Sequence, residues 1–189
     1  MTNPKFSSID EYRDVESLNV YEIKRAQGMN ENEILEILKH KSRDNSRTPV
    51  QWSDEPNAGF TKGTPWINPA DNYREINVEK ALDDEDSIFY FYQKLIALRK
   101  QYDIITYGNY ELILGEDEQI FAYIRNGADE KLLVINNFYG SETAFELPED
   151  ITFEGYHSEI LLSNYKDSSK EFKQVLLRPY ESIVYHLKK

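Results

Sequence analysis

Apolar positions recur at helical spacing over roughly the first hundred residues and alternate with polar ones after that, so helices and loops should precede strands. The run "DEYRDVESLNVYEIKRAQG", 10 to 28, begins with acids and ends Lys-Arg-Ala-Gln-Gly. That charge order suits a helix dipole, and Gly28 is placed to close the helix. "NENEILEILKHK" follows, with Asn30 as N-cap, Glu33 three residues on in a capping-box pattern, and Ile34, Leu35 and Leu38 on one apolar side. From Ser42 to about Val78 the periodicity is lost among Pro49, Pro56, Gly59, Gly63, Pro65 and Pro69. A stretch of that length is usually functional or packed over something else. The clearest helix is "DSIFYFYQKLIALRKQYDII", about 86 to 102, where Ile88, Phe91, Tyr92, Leu95, Leu98 and Tyr102 share a face and Asp83 to Asp86 supply acids at its start.

Beyond Tyr107 the period becomes two. "YELILG", "QIFAYIR", "KLLVINNF", "TAFEL", "SEILLSN", "EFKQVLL" and "SIVYHL" are separated by turn residues such as Gly115-Glu116-Asp117 and Asn126-Gly127. Short strands at this spacing predict an antiparallel sandwich from about 107 to 189, with Leu132, Val134, Ile183 and Val184 in its core. "LLVI" is apolar throughout and should be a central strand buried on both faces.

Composition narrows the function classes. The 34 acidic residues outnumber the 22 basic ones, for a net charge of −12, which excludes a phosphate-rich nucleic-acid partner. No apolar run approaches the ~20 residues of a membrane span. The N-terminal "MTNPKFSSID" lacks a basic run and an apolar core, so no signal peptide is expected and a cytoplasmic protein is the default. Without cysteine there are no disulfides, thiolate metal sites or cysteine nucleophiles. The three histidines, 40, 157 and 186, are too scattered for a triad or metal cluster, and no Gly-rich phosphate loop is present. No cofactor is expected. The 14 Tyr, 9 Phe and 2 Trp suit sugar stacking and β-sandwich packing alike.

One loop segment carries chemistry out of keeping with an acidic chain. "SRDNSRTPVQW", 42 to 52, sets Arg43 and Arg47 around an Asp-Asn-Ser core. By residue type it is either a salt-bridged loop or a sugar-binding wall. A guanidinium suits the second, because its planar five-donor fork can hold a carboxylate and sugar oxygens at once.

Six segments in order carry a resemblance: "MTNPKFSSIDEYRDVESLN", "SRDNSRTPVQW", "NAGFTKGTPWI", "NYREINV", "SIFYFYQKLIALRK" and "LLRPYESIVYHL". Together they resemble the C-terminal third of the α-glucosidases of glycoside hydrolase family 13, in the trehalose-6-phosphate hydrolase and oligo-1,6-glucosidase branch. The resemblance covers essentially the whole chain. It implies an α+β fragment in which the helical end of a (β/α)8 barrel, with a βα loop region and the last barrel helix, is followed by an antiparallel Greek-key β-sandwich. The domains would be a catalytic-barrel remnant over 1–106 and the C-terminal sandwich over 107–189. Such enzymes cleave small α-glucosides with retention, using two carboxylates about 5–5.5 Å apart. The family's catalytic carboxylates match motifs upstream of Met1, so this chain is expected to be an inactive fragment whose partner, in the whole enzyme, is a small-molecule α-glucoside.

The resemblance also assigns residues. Arg43 would line the floor of the glucose pocket, against the alternative of a loop brace. Glu16, in "YRDVE", would meet the leaving sugar, against the alternative of a surface helix residue. Arg47 is expected to brace the loop, with Asp44 as its partner or a turn former. Trp52 and Trp66 are expected as buried loop anchors beside fixed backbone, not as sugar platforms. Two other functions remain in view: an oligo-1,6-glucosidase acting on isomalto-oligosaccharides, and a non-catalytic carbohydrate-binding β-sandwich module. A free module has no reason to carry an amphipathic helix and a pocket-like loop ahead of its sheet.

Overall fold

In the computed structural model, which describes residues 2–189, helix α1 (Val15–Ala26) starts later than the acidic run at 10 predicts. The residues ahead of it form a separate 3-10 turn, Ile9–Glu11, and that turn takes the reciprocal capping box. The Ser8 hydroxyl accepts the Asp10 N–H, and the Glu11 carboxylate accepts the Ser8 N–H at 3.1 Å. Gly28, at φ +86°, follows α1 where only glycine is unstrained. Helix α2 (Glu31–Lys41) has the predicted N-cap, with Asn30 Oδ1 accepting the Glu33 N–H at 3.0 Å. Its Ile34, Leu35 and Leu38 are buried in one cluster with Phe6, Tyr12, Tyr21 and Ile67. Asn30→Ala is expected to cost about 1 kcal/mol, seen as a lower denaturant midpoint at an unchanged slope. An unmoved midpoint would mean that the cap contributes nothing.

The region from Ser42 to Val78 lacks periodicity but is well tied. It contains 3-10 turns at Arg43–Ser46, Pro56–Gly59 and Asp71–Arg74. The Trp52 N–H donates to the Ala58 carbonyl at 2.8 Å, and the Val78 N–H to the Gln51 carbonyl at 2.8 Å. Asn57, Ala58 and Gly59 are all left-handed, and a Cβ on Gly59 would meet Ser53 Oγ at 2.4 Å, so the tight turn requires a glycine there. Both tryptophans depart from expectation: Trp52 is 51% exposed and Trp66 64%. The anchoring role falls to their neighbours Gln51, Ala58 and Ile67, which are buried. Backbone pairing and the Gln51 amide, which donates to the Ile76 carbonyl, hold the loop without large side chains. Helix α3 (Val78–Asp83) closes the region, with Asn77 Oδ1 accepting the Lys80 N–H at 2.9 Å.

The chain divides into two units between Tyr90 and Phe91, within helix α4 (Ile88–Gln101). Helix α5 (Asp103–Tyr107) leads into seven strands: β1 (Asn109–Ile113), β2 (Ile120–Asn126), β3 (Glu130–Asn137), β4 (Thr143–Glu146), β5 (His157–Ser163), β6 (Gln174–Leu177) and β7 (Ser182–Lys188). All seven occupy the predicted runs. The larger sheet has the order β1-β2-β3-β7-β5, and β4 pairs with β6 in a two-stranded sheet. Every pairing is antiparallel. After β3 the chain alternates between the sheets, and β7 inserts between β3 and β5.

The strand "LLVI" is buried on both faces, as its pattern predicts. The two faces differ in what covers them. Leu133 and Ile135 point into the sandwich core with Ile183, Tyr185, Leu187, Phe145 and Leu177. Leu132 and Val134 point the opposite way, and with Val184 they line a cavity of about 390 Å³ that Leu95 and Leu98 of α4 also line. Of the four expected core positions, Leu132, Val134 and Ile183 are buried, Ile183 between the sheets and the other two on the opposite face of β3, and Val184 is half-buried. Alternation reveals two faces but not which one meets the second sheet. Among the described residues no helix is long and apolar enough to cross a membrane.

Candidate functional site

The acidic start of α1 and the 3-10 turn Arg43–Ser46 are brought together by buried carboxylates. Asp44 is fully buried, and its Oδ2 accepts the backbone N–H of Arg13 at 2.7 Å and of Asp14 at 2.9 Å. Asp14, at the N-cap of α1, does not cap its own helix through its side chain. Instead its Oδ2 accepts the Ser17 hydroxyl at 2.9 Å, and that hydroxyl lies 2.8 Å from the Ser42 hydroxyl, which also accepts the Asp44 N–H at 3.2 Å. Burial alone would raise the Asp14 carboxyl. The Ser17 hydroxyl, helped by the nearby Arg43 and Ser17 amides and the Arg47 charge, outweighs that and holds it below the usual carboxylate range.

The two residues expected at the sugar meet on the exposed side of this network. Arg43 Nη2 lies 3.0 Å from Glu16 Oε2, and both side chains are 64% exposed. Glu16 sits in the first turn of α1, where a carboxylate also suits the helix dipole. Arg47 faces inward: its Nη1 is 3.7 Å from Asp14 Oδ1 and 3.9 Å from Asp44 Oδ1. That is the geometry of a brace, with Asp44 as one of its partners. The arrangement offers solvent a cationic fork and a carboxylate side by side, the donor and acceptor set that polyhydroxylated ligands need.

Sequence reasoning missed Asp14, Ser17 and Ser42. Their only signal was the Asp-x-x-Ser and Ser-x-Asp spacing, and such residues near helix starts read first as ordinary caps. Among the described residues no group of three or more His, Asp or Glu side chains could hold a metal ion. His186 is fully buried, donor or acceptor to Glu130 through Nε2, with the Tyr102 ring edge-on at 5.0 Å; it packs the β domain, away from any cluster of ligands.

Comparison with known proteins gives the same frame. The profile of the alpha amylase catalytic domain matches residues 1–108, and that of the alpha-amylase SusG C-terminal domain matches residues 120–184. The trehalose-6-phosphate hydrolase of Bacillus subtilis (strain 168) is 58% identical over 190 residues, covering all of this chain and 34% of the relative. The oligo-1,6-glucosidase of Bacillus cereus is 50% identical over 189 residues, with the same coverage. The crystal structure of Bacillus licheniformis trehalose-6-phosphate hydrolase superposes with a TM-score of 0.97 at 64% identity, covering all of this chain and 34% of that one. The chain thus spans about a third of the length of the relatives it matches, their C-terminal third. The profile match over more than half of its residues places the chain in the alpha-amylase family of glycoside hydrolases.

Proposed function

We propose that this chain is the C-terminal third of a retaining α-glucosidase that hydrolyses trehalose 6-phosphate, in which it supplies one wall of the sugar pocket and the C-terminal β domain. The observation that carries the reading is the Arg43–Glu16 pair, 3.0 Å apart and open to solvent over buried carboxylates. Arg43 donates to sugar hydroxyls at the cleavage point, and Glu16 accepts from hydroxyls of the leaving sugar. The nucleophile and the acid/base come from the other two thirds of the enzyme. We assign residues 1–106 to the catalytic domain and 107–189 to the β domain, a division supported by profile matches that end at 108 and resume at 120.

A larger catalytic domain also accounts for helix α4, which is apolar along one side yet has no buried residue, with Ile88 80% exposed, Tyr92 63% and Ile96 53%. An apolar stripe this open normally meets a partner surface. The enzyme acts in the cytoplasm, a placement that fits a chain without cysteine. The second reading is an oligo-1,6-glucosidase, favoured by the 50% identity to the Bacillus cereus enzyme.

The test joins this chain to the N-terminal two thirds of the Bacillus licheniformis enzyme. The fusion is expected to hydrolyse trehalose 6-phosphate in preference to isomaltose, while the 189-residue chain alone turns over neither above a blank. Preference for isomaltose would establish the second reading. A folded fusion inert on both substrates, or turnover by the chain alone, would overturn the assignment.

A further inference from the structure

We infer that Asp44 is a positioning residue whose buried carboxylate sets the Arg43–Glu16 pair. The inference rests on the reading of that pair as the sugar-binding element. An exposed ion pair has little hold on its own geometry, because water competes for both partners and two long side chains must be ordered. Arg43 and Glu16, each 64% exposed, are such a pair. What orders them lies beneath.

The two segments are clasped by groups from both. The Asp44 carboxylate, next to Arg43 in the chain, accepts the Arg13 and Asp14 N–H groups at 2.7 and 2.9 Å just ahead of Glu16. On the other side, the Asp14 carboxylate, two residues before Glu16, accepts the Ser17 hydroxyl at 2.9 Å and stands 3.7 Å from Arg47 Nη1. The Ser17–Ser42 hydrogen bond closes the ring at 2.8 Å. The Asp44 carboxylate thus fixes the backbone just ahead of Glu16, and the serine hydroxyls tie the first turn of α1 to the residue before Arg43.

The chemistry of Asp44 fits positioning better than stability. Its Oδ1 is buried with no hydrogen-bond partner, and the nearest cation, on Arg47, stands 3.9 Å away. Burying a half-satisfied carboxylate is costly, and a side chain serving stability alone would be apolar or fully bonded. Two strong amide bonds to the segment that carries Glu16 are what the carboxylate provides in return.

The test has two arms. In the 189-residue chain, NMR contacts between the Arg43 and Glu16 side chains are expected in the wild type and lost in Asp44→Asn, while the α2 amide signals persist. Should Asp44→Asn fail to fold, Ser17→Ala opens the same ring more gently and is expected to weaken those contacts. In the fusion enzyme, Asp44→Asn is expected to raise KM about tenfold with kcat less affected, and this penalty should vanish in an Arg43→Lys background. Contacts that survive both substitutions, or penalties that simply add, would overturn the inference. If the contacts were lost but Arg43→Lys left the kinetics untouched, the clasp would stand and the sugar-binding reading would fall.

Discussion

Arg43→Lys in the fusion enzyme is expected to lower kcat/KM for trehalose 6-phosphate by one to three orders of magnitude, about 1.4–4 kcal/mol of transition-state stabilisation. The charge survives this substitution, so the loss measures geometry. Arg43 reaches Glu16 through one terminal nitrogen at 3.0 Å, which leaves the rest of its planar fork for a ligand. A lysine ammonium has three donors on one atom and cannot span the carboxylate and a sugar oxygen in fixed relation. Stability should hardly change, because the side chain is 64% exposed and its ion pair is of the weak surface class. Arg47→Lys should behave in the opposite way, with near-normal kinetics and a lower melting temperature, since its guanidinium faces the buried Asp14 and Asp44. If Arg43→Lys moved the melting temperature and spared the kinetics, Arg43 would be the brace.

Local periodicity was enough to place α2, its Asn30 cap and all seven strands, because each of those features is decided within a few residues. The late start of α1 was not legible: Asp14 looks like an acid within a helix, but it stands at the N-cap, where its carboxylate accepts the Ser17 hydroxyl and faces Arg47. The same limit hid the site's foundation. The Asp44–Arg13 bond joins residues 31 positions apart, and nothing local distinguishes an aspartate that will be fully buried from one at the surface of a turn. Arg43 and Glu16 entered through a resemblance, and only the fold shows that they touch. The tryptophans failed for a related reason. Proline and glycine neighbours foretold a fixed backbone correctly, but a fixed backbone can present an aromatic ring as readily as bury it.

The largest stability effect is expected in the β domain, at Glu181. It is 2% exposed, in the turn ahead of β7, and its carboxylate accepts the Arg178 backbone N–H at 2.9 Å, Arg178 Nε at 3.1 Å and Nη2 at 2.8 Å, and the Ser168 hydroxyl. Arg178 also binds Asp167 at 2.7 Å and lies 3.9 Å from the centre of the Tyr165 ring, so one carboxylate organises the whole turn. Burial by itself would raise the Glu181 pKa. The Arg178 side chain, the Ser168 hydroxyl and the Arg178 amide prevail and lower it from 4.5 to about 2. A folded-state pKa below the unfolded one means that the ionised form stabilises the fold. The contribution is complete above about pH 4.5, falls as the pH drops, and is gone below about pH 2. At about 1.4 kcal/mol per unit it amounts to roughly 3 kcal/mol. Glu181→Gln keeps the shape, removes the charge and leaves Arg178 underpaired, so about 3–5 kcal/mol should be lost at pH 7. Asp14, Glu36, Glu159 and Asp167 are also held low, and the wild type will therefore weaken in acid for several reasons at once. The difference between wild type and Glu181→Gln isolates one of them. Measured by urea unfolding, that difference should be largest at pH 7 and shrink by about 2 kcal/mol at pH 3. A difference that stayed constant across this window would show that the Glu181 carboxylate titrates normally and that the turn is held by shape, with charge contributing nothing.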